Sequence, residues 1–313
     1  MSKRRARGLL AVALAMALLT AACGDSGADG DGAAPGRLEV VATTSIMGDL
    51  VDNIVDGDAD VTVLIPIGAD PHDYQPSAQQ VAAITTADLV VANGLRLEEG
   101  LDDILEAAAG DGANILSVGE LVDPIPFADR GESAADSHVL DPHVWNDPLR
   151  MAVAAEIVGA ELARLDSAVD WASRAAGFAA ELRARDVVIQ DILSSVPAQS
   201  RVLVTNHESM GYFADRYDFT VIGVVIPGGS TLAAPSSADV AALVATVRAA
   251  NVGAIFAETT DSTMLADAVA AEAGQAIDVV EIFSGSLGEP GSGAETLLAM
   301  LTTNAGRIAV ALS

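Results

Sequence analysis

From Leu38 onward, short runs of β-branched and aliphatic residues alternate with longer stretches whose apolar positions recur at helical spacing. The short runs predict strands at Leu38–Thr43, Val61–Ile65, Asp88–Ala92 and Asn114–Val118. A second set falls at Arg201–Thr205, Phe219–Val225, Ala254–Glu258 and Val279–Phe283. Ala78–Ala87 and Ala238–Ala250 are among the helical segments between them. Strands separated by helices pair in parallel and are covered on both faces. The pattern therefore predicts an α/β protein of two lobes, each a mainly four-stranded parallel sheet flanked by helices.

The rhythm breaks between Pro148 and Val196, where no strand signal occurs and Ala, Glu, Arg and Leu dominate. Pro148 suits the first turn of a helix, where its missing N–H is not needed. Asp166 or Ser167 is predicted to cap a second helix running to about Leu193, some 27 residues and roughly 40 Å long. One long helix joining two lobes would resist wide hinge closure. The predicted organisation is an N-terminal lobe over residues 37–147, a helical linker over 148–198 containing this backbone helix, and a C-terminal lobe over 199–313.

The first residues read as a processing signal and not as fold. Lys3, Arg4, Arg5 and Arg7 precede an apolar run from Gly8 to Leu19, shorter than the ~20 residues that span a bilayer. The run ends in Leu19-Thr20-Ala21-Ala22-Cys23, which looks like a bacterial lipoprotein cleavage box with Thr20 where Leu is commoner. Residues 1–22 are then a signal peptide, Cys23 is the lipid attachment site, and residues 23–36, rich in Gly, Ala and Asp, are a flexible tether. The expected location is the extracytoplasmic face of the cell membrane, held by an N-terminal lipid.

Composition narrows the chemistry. An apolar share of 51% over 313 residues is enough for a sizeable core. Lys and Arg number 16 against 44 acids, a formal charge of −28, which becomes −32 once the four basic residues of the signal are removed. Phosphate-backbone binding depends on Lys and Arg, so nucleic acid is not an expected partner. With one cysteine there is no intrachain disulfide and no cysteine-based zinc knot.

Four histidines carry the remaining signal. His72 lies in Asp70-Pro71-His72-Asp73-Tyr74, just after the second strand, and His143 lies in Asp141-Pro142-His143-Val144-Trp145, before the central helices. His207 follows the first strand of the second lobe in Thr205-Asn206-His207-Glu208, and His138 sits in the loop before His143. In both Asp-Pro-His motifs the proline fixes its own φ and restricts the residue before it. Ligands of open α/β sheets bind beyond the carboxyl ends of the strands, where His72 and His207 both fall. A lone loop histidine is more often a surface residue than a ligand. Three of four at equivalent loop positions, two of them in rigid contexts, point to a divalent metal between the lobes.

Together with Gly211-Tyr212-Phe213, Ala257-Glu258 and Ser286-Leu287-Gly288, these motifs resemble the metal-binding lipoproteins of bacterial ABC importers, the zinc/manganese solute-binding family. The likeness covers the chain from about Leu38. It implies two lobes on a rigid backbone helix, a metal in the cleft, and delivery to a membrane permease by a monomeric carrier that is not an enzyme. Carried over, it makes His72, His143 and His207 ligands. Imidazole at the third position suits zinc, where manganese-type members often carry Glu; the expected cargo is Zn2+, with Mn2+ the alternative.

One position departs from the family. Its fourth ligand is an Asp near the end of the last strand, and here Phe283-Ser284-Gly285-Ser286-Leu287-Gly288 has Gly285 in that place. Three fillings compete: water or an anion at an open position, the carboxylate of Glu258, or His138 swinging in from its loop. Loss of metal binding is the fourth outcome. The stretch Pro124–Asp141, with Asp129, Glu132 and Asp136, reads as a solvated acidic loop, not a chelating tract, and Pro227-Gly228-Gly229-Ser230 reads as a turn.

Two rival classes stand beside the carrier. An open zinc with Glu208 next to His207 could activate water as a hydrolase, although no His-Glu-x-x-His helix is present. A binding protein for iron chelates or cobalamin would need aromatic or Arg contacts, and aromatics make up only 4% of the chain.

Overall fold

The computed structural model describes residues 36–127 and 140–313, and its body from Arg37 to Ser313 forms one compact unit. The signal peptide, Cys23, most of the tether and His138 lie outside the described residues. Among the described residues no helix is long and apolar enough to cross a membrane.

The first sheet comprises β1 (Leu38–Ala42), β2 (Ala59–Val63), β3 (Leu89–Ala92) and β4 (Ile115–Ser117), all parallel, in the order β2-β1-β3-β4. The second comprises β5 (Val202–Thr205), β6 (Thr220–Val224), β7 (Ala254–Glu258) and β8 (Asp278–Ile282), parallel, in the equivalent order β6-β5-β7-β8. The fold is the predicted α/β pair of four-stranded sheets. The edge strand β2 starts at Ala59, ahead of its predicted start at Val61. Its pairing with β1 does continue past Val63, because Leu64 and Ile65 donate to the carbonyls of Ala42 and Thr43, each at 2.9 Å.

Period-two alternation sorts the central strands into two cores. Val40, Ala42, Leu89, Val91, Leu203 and Phe256 face a shared interior, while Val41, Val90, Val204 and Ile255 face the outer sides. Helices α2 (Ala78–Thr86) and α3 (Asp102–Gly110) cover the outer face of the first sheet, and α7 (Ser237–Ala250) and α8 (Met264–Ala273) that of the second. The interior is filled by α1 (Ser45–Val55), α4 (Pro148–Leu165), α5 (Trp171–Leu193), α6 (Gly211–Tyr217) and α9 (Leu297–Leu312).

The long helix α5 packs on α1 of the first lobe and on α9 of the second, with α4 alongside it. It is shorter than the predicted 27 residues: it spans 23, about 35 Å. Asp166 ends α4, its N–H bonded to Leu162 O and its carboxylate accepting from Ala168 N at 2.8 Å. Asp170 is the true cap of α5, accepting from Ser173 N at 3.1 Å. Two Asp residues four apart both look like caps in sequence, and the tight connection between the helices uses both. Lower on α5, the buried Asp186 accepts from Arg216 Nε at 2.9 Å, from Tyr217 OH at 3.1 Å and from Gln190 Nε2 at 2.8 Å. This ties the helix to α6 of the second lobe.

Candidate metal centre

The repeated Asp-Pro-His sequence folds the same way twice. In each, the aspartate Oδ1 accepts the N–H of the histidine two residues on, at 2.9 Å for Asp70–His72 and 2.9 Å for Asp141–His143. This is an Asx turn, with the intervening proline fixing φ. Asp70 is anchored to the second lobe by Thr231, whose hydroxyl donates to Oδ2 at 2.6 Å. The His143 turn is held by Asn93, whose Nδ2 donates to Pro142 O at 2.9 Å. Asn93 is itself fixed by the wholly buried Glu98, which accepts from Asn93 N, Gly94 N and Thr43 Oγ1. His207 leaves β5 in a turn closed by Thr205 Oγ1, which donates to His207 O at 2.7 Å.

These three turns bring the imidazoles together at the facing carboxyl ends of the two sheets. His143 Nε2 stands 3.0 Å from His207 Nε2 and 3.4 Å from His72 Nε2, and the potential ligand atoms of all three lie within 4.8 Å of one another. Zinc–imidazole bonds of 2.0–2.1 Å at tetrahedral angles separate neighbouring nitrogens by about 3.3 Å. His143 thus stands from each of the other two rings at the separation of ligands on a single ion. Each is 3% exposed or less.

Carboxylates stand behind the rings. Asp141 Oδ1 is 2.7 Å from His143 Nδ1, and Glu258 Oε1 is 2.7 Å from His207 Nδ1. Glu99 Oε1 is farther from His72 Nδ1, at 3.5 Å, and is partly exposed. At His143 the contact is a hydrogen bond, and an acceptor at Nδ1 holds the proton there and leaves the Nε2 lone pair for a metal; at His207 the carboxylate is in ion-pair contact without hydrogen-bond geometry, and His72 Nδ1 has no hydrogen-bond partner among the described residues. Burial drives the His72 pKa down to about 2, and the neighbouring His143 and His207 push the same way, so this ring stays neutral. At His207 burial also lowers the pKa, but the Glu258 charge and contact outweigh it and the net shift is upward. Burial would raise Glu258, yet its attraction to His207 prevails and holds the carboxyl down to about 2.

His72, His143 and His207 therefore converge, whereas Glu258 lies on the far side of the His207 ring, where its Oε1 also accepts from Ser209 Oγ at 2.9 Å. Gly285 is buried against Pro71 and Thr260, next to Ser284, whose carbonyl accepts the Trp145 indole N–H at 2.8 Å. Glu208 lines a separate cavity of about 360 Å³ together with Asp141, Met210 and Asp215. Sequence reasoning overlooked Glu99 behind His72 and the ring-holding role of Asp141, although the Asp of the Asp-Pro-His motif signalled the second. Tyr212 entered only as part of a motif with no role assigned; its hydroxyl donates to Asp141 O at 2.6 Å and accepts from Ile125 N at 3.2 Å.

Residues 40–311 match a family model described as zinc-uptake complex component A, periplasmic. The chain is 31% identical over 312 residues to the zinc-binding protein TroA of Treponema pallidum, covering 97% of this chain and 98% of that protein. It is 28% identical over 298 residues to the manganese-binding lipoprotein MntA of Halalkalibacterium halodurans, covering 94% of each. Among solved structures, the periplasmic zinc-binding protein TroA from Treponema pallidum superposes with a TM-score of 0.80 at 30% identity, over 89% of this chain and all of that one. A manganese-bound point mutant of a periplasmic metal-binding protein from Candidatus Liberibacter asiaticus superposes with a TM-score of 0.77 at 25% identity, over 88% of this chain and all of that one. These relatives are named for binding metals, and nothing among them supports the hydrolase alternative.

Proposed function

The chain belongs to the family of periplasmic zinc-uptake complex component A, a family of substrate-binding proteins, and we propose that it captures Zn2+ between its lobes and hands it to the permease of an ABC importer. The observation that carries this reading is the convergence of three buried Nε2 atoms, contributed by loops from both halves of the molecule. His72, His143 and His207 are the proposed ligands. All three come from one chain, so the site needs no second copy to form, and the proposed carrier is a monomer.

Zinc is favoured over manganese because the donor set is all imidazole, and carboxylate oxygens suit manganese better. Manganese-binding relatives keep Mn2+ as the second reading. Release requires His207 to separate from His72 and His143, which the two lobes permit by a modest displacement about α5. Residues 37–147, 148–198 and 199–313 are the proposed lobe, linker and lobe. Cys23 is the proposed lipid anchor on the extracytoplasmic face, a reading supported by relatives named as lipoproteins.

The carrier reading excludes turnover. Competitive titration of Zn2+ against Mn2+, with bound metal read by elemental analysis, tests it: one equivalent of zinc held in preference to manganese is expected. Hydrolysis of ester or amide substrates lost with His143→Ala would overturn it.

A further inference from the structure

We infer that Phe127 sets the rate at which the ion enters and leaves: its ring, seated on Gly229, closes the passage between the lobes and binds no metal itself. The inference rests on the carrier reading above and adds to it the side chain that governs exchange. His72, His143 and His207 are each 3% exposed or less, so an ion reaches them only when a covering group moves. A cavity of about 210 Å³ lies between the lobes, walled by Arg96, Glu99 and Pro142 on one side and by Gly229 and Ser230 on the other. It approaches two of the ligands, since Glu99 Oε1 is 3.5 Å from His72 Nδ1 and Pro142 directly precedes His143.

Phe127 stands in the wall of this cavity and also in the wall of the separate cavity of about 360 Å³ beside Asp141 and Met210. Its ring centroid is 6.4 Å from that of His143, with the planes at 65°. The tip of the ring rests on Gly229: a Cβ there would stand 2.1 Å from Phe127 Cζ, so only glycine leaves the seat open. This gives the Pro227-Gly228-Gly229-Ser230 turn a role beyond reversing the chain. The turn travels with the second-lobe ligand, because Gly228 O accepts the N–H of Glu208, next to His207, at 3.2 Å. Separation of the lobes therefore withdraws the seat as it withdraws His207. The half-buried ring has free volume on either side, which a close-packed core side chain lacks, so it swings at low cost. While seated it presents an apolar surface that gives a dehydrating cation no ligand. A barrier of this kind slows capture and release alike and leaves the equilibrium affinity nearly unchanged.

Stopped-flow measurement of zinc capture and of zinc release into excess chelator, paired with equilibrium affinities, tests this on the full chain as wild type, Phe127→Ala and Gly229→Ala. The expected result is about tenfold faster capture and release in both variants, with dissociation constants within about threefold of wild type. Unchanged rates in Phe127→Ala overturn the inference and leave the carrier intact. Faster release matched by an equal loss of affinity also overturns it, because the ring would then be a clamp and not a barrier. Failure of the wild type to bind zinc overturns the carrier reading as well. Should Gly229→Ala fail to fold, Phe127→Ala alone decides, its side chain lying outside the packed cores.

Discussion

Glu258 Oε1 lies 2.7 Å from His207 Nδ1: β5 and β7 are adjacent, Thr205 at the end of β5 pairs with Phe256, and His207 in the turn just past β5 comes beside Glu258 at the last position of β7. The carboxylate and the imidazole are 51 positions apart in the chain, and parallel pairing makes them neighbours. A histidine at the end of one strand is thereby oriented by an acid at the end of the next.

Replacing this acid by its amide keeps the shape and removes the charge. Glu258→Gln is expected to weaken zinc binding by roughly 10–100-fold while the protein remains folded, the usual scale for losing an outer partner of a metal-bound histidine. Chelator competition at neutral pH measures it. An unchanged affinity would show that the contact does not tune the ring.

The same logic applies to His143 through an indirect route. A Cβ on Gly211 would stand 2.4 Å from Asp141 Oδ2, so the carboxylate that holds His143 must shift if any side chain is placed there. Gly211→Ala is expected to lower zinc affinity by about 10–100-fold, with His72 and His207 left in position. A crystal structure of the variant would show the displaced Asp141, and retention of full affinity would contradict the argument.

Strand positions and the two-lobed α/β architecture were legible because apolar periodicity reports burial directly. The converging histidines were legible because rigid Asp-Pro-His turns and strand ends are local features. Glu258 was legible as a nearby acid but not as the support of His207, since that depends on strand register and not on composition. The start of α5 was misjudged for a different reason: Asp166 and Asp170 are equally good caps in isolation, and only the packing of the α4–α5 connection assigns one to each helix.

Asp49 on α1 accepts the N–H of Leu297, at the start of α9, with Oδ2 at 2.9 Å. Burial raises its pKa from 3.8 to about 6, opposed by that hydrogen bond and assisted by Asp52. The folded chain thus holds this proton more tightly than the unfolded one. The resulting stabilisation is complete below about pH 3.8 and is lost as the pH rises through about 6. Asp49→Asn should therefore stabilise the protein by about 1–2 kcal/mol at pH 7, allowing for partial solvent screening, and by little at pH 4. Denaturant melts at the two pH values check this, and an equal effect at both would contradict it.

The central claim is that a single zinc ion is held jointly by His72, His143 and His207. It is tested most directly by titrating metal-free protein with zinc against a chelator, for wild type and for His72→Ala, His143→Ala and His207→Ala. One equivalent bound by the wild type, with each substitution lowering affinity more than about 100-fold, is the predicted result. Undiminished zinc binding in any one of the three variants would contradict it.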